Sequence, residues 1–206
     1  MKKFNLSINK IIILLFLSIK PLHSAEMTDP IKVDWSFKGL TGTFDRASLQ
    51  RGFQVYKEVC SSCHSMQYLS YRNLGESGGP EFTEAEVKAI AASFEVTDGP
   101  DSQGEMFTRP GRPSDMFVSP HPNKEAAAAA NGGAYPPDMS VLVKARKGGA
   151  NYIYSVLVGY EDPPPGVTLD QGVYYNKYMI GNKIKMPNNL EDGLIEYADG
   201  TVSTVD

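Results

Sequence analysis

Two cysteines and a histidine form the most constraining motif of the chain. Cys60 and Cys63 are separated by two serines, and His64 follows directly. The pattern C-x-x-C-H is typical of covalent haem attachment, in which each thiol adds to one vinyl group of the porphyrin and the adjacent imidazole becomes the proximal ligand of the iron. We therefore predict one haem c, bound through Cys60 and Cys63, with His64 on the iron.

Two other interpretations of the C-x-x-C spacing are weaker. A thioredoxin-like redox pair is expected in a βαβ setting, which the sequence around Cys60 does not indicate. A zinc site requires two further ligands, but the chain has no other cysteine and, after residue 25, only His121 as a second histidine. Carboxylates would have to complete such a site.

Residues 1–25 are predicted to be a secretory signal peptide. Two lysines precede the nine-residue apolar run 11–19, and small residues follow at Ser24 and Ala25. A retained membrane anchor is the alternative, but it requires about 20 apolar residues. Since thioether-linked haem is usually attached outside the cytoplasm, we expect a bacterial periplasm as the compartment. Residues 26–206 are then the c-type haem domain.

The charge of the exported part limits its partners. The signal segment holds four lysines and no carboxylate, so its removal takes the formal net charge from −4 to −8. An acidic protein is a poor candidate for binding nucleic acid and a fair one for meeting a basic protein. Its length fits one domain with a hydrophobic core.

Hydrophobic periodicity and capping signals predict a mainly α chain in which no sheet is needed. Residues 97–122 are rich in Gly, Pro, Asp and Ser and are predicted to be a long irregular loop. A brief hairpin is expected around 198–200. The predicted helices are 44–60 with Asp45 as N-cap, 83–94 with a capping box at Thr83 and Glu86, 124–130 with Asn123 as N-cap, 139–146, and 151–160.

The iron of such a haem has a second axial position, for which the chain offers several ligands. A neutral sulfur opposite His raises the reduction potential and suits electron transfer. We favour Met186, because Pro187 restricts the chain before it and favours an extended loop. His121, between two prolines, is the alternative. The methionines considered are Met66, Met106, Met116, Met139, Met179 and Met186.

Further motifs lie on both sides of the C-x-x-C-H sequence. They are WSF at 35–37, FD at 44–45, LQRG at 49–52, YKEVC at 56–60, SM at 65–66, YRNL at 71–74, AANGGA at 129–134, PPDMS at 136–140, KAR at 144–146 with two glycines after it, and the stretches 152–160 and 174–187. With these motifs the chain resembles the cytochrome c1 family, the haem subunits of the ubiquinol–cytochrome c oxidoreductase (cytochrome bc1 complex). The resemblance covers essentially the whole chain after the signal segment. It implies a class I cytochrome c-like haem domain with long irregular loops.

The resemblance also implies roles for individual residues. Met186 matches the family's distal iron ligand, and Arg146 matches an arginine that pairs with a haem propionate. A guanidinium suits that task because it binds a carboxylate bidentately and stays charged. Tyr152 is expected to lie against the haem and help tune it. The imino ring of Pro137 is expected to sit near the ligand face and orient the histidine without adding a charge. Asn131 is included, although a role as helix C-cap also accounts for it.

The implied function is one-electron transfer rather than acid–base catalysis. In that family the iron–sulfur protein passes an electron to the haem subunit, which passes it to a soluble c-type cytochrome, while quinol is oxidised on cytochrome b. The cofactor carries this chemistry, and the protein sets its potential, exposure and docking. The expected location is the periplasmic face of the bacterial inner membrane.

Family members end in a transmembrane helix, and this part of the pattern is missing. No stretch after residue 25 has the ~20 apolar residues that a span requires. We expect the chain to be a fragment, so membrane association follows from the resemblance alone. Two other functions are kept as alternatives. One is a haem enzyme with an open sixth site, which methionine ligation would argue against, and the other is a soluble periplasmic electron carrier.

Overall fold

Short helices joined by long irregular segments make up the structure. A computed structural model describes residues 28–205, and the predicted signal peptide 1–25 lies outside them. The α-helices of the described part are α1 (Arg46–Glu58), α2 (Glu84–Ala92), α3 (Lys124–Ala130) and α4 (Gly149–Val158), and short 3-10 helices lie at Cys60–Ser62, Tyr71–Gly75 and Ile180–Asn182. The predicted mainly α class is confirmed. Within residues 28–205, no helix has the length and apolarity needed to cross a membrane.

The predicted helix starts are confirmed where the capping signal is local. Asp45 accepts a hydrogen bond from the Ser48 amide at the start of α1. Thr83 and Glu86 form a reciprocal capping box on α2, and Asn123 caps α3. These side chains satisfy amide groups that the first turn of a helix leaves without partners. Helix α4 begins two residues before its predicted start and ends against Gly159.

The helix predicted at 139–146 is wrong. The structure has a series of turns there, in which Leu142 donates to Met139 and Ala145 to Val141 and Leu142. Residues at the start of the segment also bond to a distant part of the chain. The Met139 amide donates to the Ser65 carbonyl over 2.8 Å. Asp138 likewise accepts from the Gln67 amide. These bonds tie the segment to the residues that follow His64.

The expectation that no sheet is needed is also wrong. Strands β1 (Glu95–Asp98) and β2 (Phe107–Pro110) form an antiparallel pair that begins two residues before the region predicted to be an irregular loop and extends into it. A second pair joins β3 (Tyr174–Tyr175) to β4 (Lys183–Ile184). The hairpin predicted near residue 199 is confirmed as a single antiparallel bridge between Glu196 and Val202.

Buried apolar side chains form two separate clusters. The first cluster joins α1, α2 and the segment around Tyr71, whose ring stacks on Phe117 with centroids 4.7 Å apart. The second cluster is built on α4 and the chain after β3. The first consists of Tyr56, Tyr71, Leu74, Val87, Ala91 and Phe117. The second consists of Tyr152, Val156 and Tyr178.

Candidate haem-binding site

The C-x-x-C-H motif forms one turn at the end of α1. The Cys60 carbonyl accepts hydrogen bonds from the amides of Cys63 (3.1 Å) and His64 (2.8 Å). This turn brings both cysteines and the histidine to the same end of the helix. Both thiols are free and half-buried. Burial, with a smaller contribution from Cys63, raises the pKa of the Cys60 thiol.

The His64 ring is oriented by a backbone carbonyl. Its Nδ1 lies 2.8 Å from the carbonyl oxygen of Pro137, a residue 73 positions away in sequence. Because a carbonyl only accepts, Nδ1 carries the proton of the neutral ring, which leaves the lone pair on Nε2. A histidine that binds a metal through one nitrogen is commonly fixed in this way through the other.

Asp138 holds the Pro137 segment against the chain that follows His64. One of its carboxylate oxygens accepts from the Ser65 hydroxyl (2.7 Å) and the Gln67 amide (2.9 Å). The other accepts from the Ser140 amide over 2.9 Å. Burial raises the pKa of Asp138, but these hydrogen bonds lower it by more, so the pKa lies below its ordinary value. The Pro137 carbonyl is thereby fixed beside the imidazole.

Met186 lies on the second apolar cluster. Its side chain is half-buried and packs against the second cluster, to which Tyr152 belongs. The Tyr152 hydroxyl donates to the sulfur of Met179 over 3.3 Å. The two predicted residues Met186 and Tyr152 are therefore brought together by the fold. Met179, another candidate ligand, has its sulfur engaged with Tyr152.

The segment 131–138 contacts both halves of the site. At one end the Gly132 carbonyl accepts from the Lys185 ammonium over 2.8 Å, next to Met186. At the other end the Pro137 carbonyl meets His64. Asn131, which opens the segment, is the C-cap of α3, and its amide donates to the Ala127 carbonyl.

Arg146 is exposed, and the structure leaves its guanidinium accessible. Within residues 28–205 the guanidinium makes no ion pair, and its hydrogen bond goes to the adjacent Ala145 carbonyl at 3.3 Å. The structure does not connect it by a hydrogen bond to the other predicted site residues. Its pairing with a propionate stays a prediction.

The remaining candidates for the sixth ligand occupy different surroundings. Met66 and Met139 pack against the first cluster, whereas Met106 and Met116 are exposed. His121 borders a cavity of about 180 Å³ that Cys63 and Ser65 also line. Its Nε2 is buried and has no hydrogen-bond partner among residues 28–205.

The chemistry of the arranged donors fits a haem c. Two free thiols and a histidine with its Nε2 lone pair available lie on one turn, and a thioether lies on a separate apolar cluster. These are the groups that attach and ligate such a haem. An apolar environment for the porphyrin is available from both clusters.

Known proteins are similar to this chain over most of its length. A model of the cytochrome c1 family matches residues 35–206. The chain belongs to the cytochrome c1 family. A Solanum tuberosum protein described as cytochrome c1-2, heme protein, mitochondrial, is 53% identical over 170 residues, which are 82% of this chain and 64% of that protein. A Rhodospirillum rubrum cytochrome c1 is 50% identical over 191 residues, covering 85% of this chain and 69% of the relative.

A third relative is described by the complex to which it belongs. The Candida albicans cytochrome b-c1 complex catalytic subunit, mitochondrial, is 49% identical over 176 residues, which cover 85% of this chain and 60% of the relative. The chain thus spans about two thirds of the length of these cytochrome c1 relatives.

Two residues that shape the site were not singled out from the sequence. Asp138 directly precedes the helix predicted at 139–146, although Asp-x-Ser is a local signal for a turn in which the carboxylate accepts a nearby amide. Tyr160 is the last residue of the helix predicted at 151–160, yet its hydroxyl donates to the Met186 carbonyl over 2.9 Å. No sequence signal marks that second contact, because it joins residues 26 positions apart.

Proposed function

We propose that this chain is the haem-bearing electron carrier of a cytochrome bc1 complex. It takes single electrons from an iron–sulfur protein and passes them to a soluble c-type cytochrome. Family membership over residues 35–206 supports this proposal, as does the description of the Candida relative as a subunit of such a complex. The observation that carries it is the Cys60–His64 turn with the Pro137 carbonyl on His64 Nδ1. When bound, haem c supplies a one-electron redox centre.

The residues of the turn hold the cofactor in this proposal. Cys60 and Cys63 form its thioether links, and His64 binds the iron through Nε2. The Pro137 carbonyl keeps the imidazole in the tautomer that this requires. Met186 would supply the second protein ligand of the iron, a neutral sulfur that favours the reduced state.

The other predicted residues support the cofactor without reacting. Arg146 pairs with a propionate, for which its exposed guanidinium, which makes no ion pair within residues 28–205, is suited. Tyr152, whose ring is buried, would lie against the haem, and Asn131 caps the end of α3 at the start of the segment that carries Pro137. No acid or base on this chain is assigned to the reaction, and quinol oxidation is assigned to cytochrome b.

The proposed location is the periplasmic face of a bacterial inner membrane, after export by the signal peptide 1–25. Membrane association comes through the complex, with cytochrome b and the iron–sulfur subunit as partners. The formal charge of −8 for residues 26–206 favours attraction of a basic soluble cytochrome. Nucleic acid is not among the proposed partners.

The test of axial ligation is the absorption spectrum of the exported, haem-loaded protein. A thioether on ferric iron gives a weak sulfur-to-iron band at the red end of the visible spectrum. We expect this band in the wild type, its loss in Met186→Ala, and its retention in Met106→Ala, which changes an exposed methionine. Absence of the band in the wild type, with ready binding of carbon monoxide to the reduced protein, would instead favour a haem enzyme with an open sixth site.

Membership of the complex is tested separately, by affinity purification of the tagged chain from its own membranes. We expect cytochrome b and the iron–sulfur subunit to copurify in equal amounts. Recovery of the chain alone from the periplasmic fraction would support the soluble carrier.

A further inference from the structure

The segment that carries Met186 has little regular structure to fix it. Strand β4 ends at Ile184, and residues 185–190 that follow contain no helix or strand. Pro187 has no amide hydrogen to donate, so the backbone after Met186 lacks one of its usual anchors. The placement of the Met186 thioether therefore depends on side chains that reach this segment from elsewhere.

Tyr160 makes such a contact at Met186 itself. Its hydroxyl lies 2.9 Å from the Met186 carbonyl oxygen and 3.4 Å from that of Pro187. Since a hydroxyl has one proton, the shorter contact to Met186 is the principal hydrogen bond. The bond uses the backbone of Met186 and leaves its sulfur free.

The backbone of Tyr160 is held in place by its neighbours. The residue follows Gly159, the C-cap of α4, and its backbone pairs with Asn176 in an antiparallel bridge. Asn176 is fully buried, and its amide donates to the Val156 carbonyl over 2.7 Å. A Cβ at Gly159 would lie 2.4 Å from the Tyr178 ring, so only glycine permits this close packing. Tyr160 thus connects a fixed helix end to the loop.

We propose that Tyr160 is a positioning residue for the axial methionine, fixing the Met186 backbone so that the thioether is held in place as an iron ligand. This inference rests on the proposed function, because it takes Met186 as that ligand. Loss of the hydroxyl frees the loop and weakens the sulfur–iron bond. The reduced state then loses part of the stabilisation that a neutral sulfur gives it.

The test compares the haem-loaded full chain with its Tyr160→Phe variant, which keeps the ring and removes only the hydroxyl. We expect a weaker sulfur-to-iron band, a lower midpoint potential and an increase of about tenfold in carbon monoxide affinity, the factor that matches loss of one hydrogen bond of typical net strength. The matched control is Tyr174→Phe, which removes a hydroxyl from the same surface pocket. That hydroxyl makes no hydrogen bond to a residue of 28–205, and all three readouts are expected to stay at wild-type values.

Each other outcome overturns the inference in a recognisable way. If Tyr160→Phe unfolds at a lower temperature but keeps the wild-type band, potential and carbon monoxide affinity, the hydroxyl serves stability alone. If the wild type itself lacks the band, methionine ligation fails, and the proposal for Tyr160 fails with it. A wild-type band with an unchanged variant leaves the electron-carrier proposal intact and refutes only the positioning role.

Discussion

At the scale of single residues, a neutral hydrogen-bond acceptor orients the histidine of the site. The Pro137 carbonyl fixes the His64 tautomer without placing a full negative charge beside the ring. The nearby carboxylate, Asp138, points its oxygens at Ser65, Gln67 and Ser140 instead. The charged Asp138 carboxylate therefore holds the backbone in place, whereas the neutral Pro137 carbonyl contacts the histidine.

Replacement of Asp138 is expected to loosen this arrangement. Asp138→Asn loses the charge that strengthens three hydrogen bonds, and we expect a decrease of about 2 kcal/mol in the free energy of unfolding at neutral pH. The measurement is urea denaturation followed by circular dichroism. The control is Asp34→Asn, at an exposed carboxylate that makes no side-chain hydrogen bond within residues 28–205, and it is expected to match the wild type.

The same residue gives a pH dependence with a defined sign. The folded protein lowers the pKa of Asp138, so its contribution is complete above the ordinary carboxyl pKa and is lost as the pH falls through the lower, folded value. We expect the stability difference between the wild type and Asp138→Asn to shrink as solutions are acidified through this range. A difference that is independent of pH would contradict the role given to the carboxylate.

At the scale of elements, the β1–β2 hairpin depends on one arginine. Arg109, on β2, forms a two-pronged ion pair with Asp115 at 2.6 and 3.0 Å and also contacts Asp98 on β1. This pair is only slightly exposed, whereas the Lys88–Glu84 pair on α2 is largely exposed. Exposed ion pairs of that kind contribute little to stability. A bidentate arginine–carboxylate pair with low exposure fixes the relative position of its two partners.

The hairpin is accordingly expected to open in acid. The hydrogen bond from Arg109 lowers the pKa of Asp115 from 3.8 to about 2, against the opposing effect of burial. The stabilisation by Asp115 is thus complete above pH 3.8 and is lost as the pH falls toward 2. Asp115→Asn should show faster amide hydrogen exchange in β1 and β2 already at neutral pH. Glu84→Gln, at the exposed pair, should exchange like the wild type, and equal exchange in both variants would refute the assignment.

At the scale of the whole molecule, the core is divided. The first cluster adjoins the turn that carries Cys60, and the second adjoins Met186. A domain of this size usually has one contiguous core. In residues 28–205 a predicted iron ligand or thioether cysteine lies beside each of the two clusters, so a haem bound by both would connect them.

Preventing haem attachment is therefore expected to destabilise the entire chain. In Cys60→Ala/Cys63→Ala, no haem should remain with the chain on a denaturing gel, and thermal unfolding should be broad and at lower temperature, because a group bound only to the folded state stabilises it. Ser62→Ala, inside the same turn, is the control and should retain covalent haem. A double variant that unfolds as cooperatively as the wild type would show that the two clusters suffice.

The sequence by itself determined the features that depend on neighbouring residues. Asp45, Thr83 and Asn123 cap helices because their partners lie three positions along the chain. The C-x-x-C-H motif likewise predicted haem attachment, since its three functional side chains share a single turn. The resemblance of nearly the whole chain to one family then predicted the fold class.

Tertiary structure decided the contacts between distant segments. Turns stand where a helix is predicted at 139–146, and there Met139 bonds to Ser65, a partner that no local pattern reveals. The carbonyl on His64 comes from Pro137, and the hydroxyl on the Met186 backbone comes from Tyr160. A contact across 73 or 26 residues exists only once the intervening chain has folded. The ligand types can therefore be read from the sequence, whereas the groups that orient them cannot.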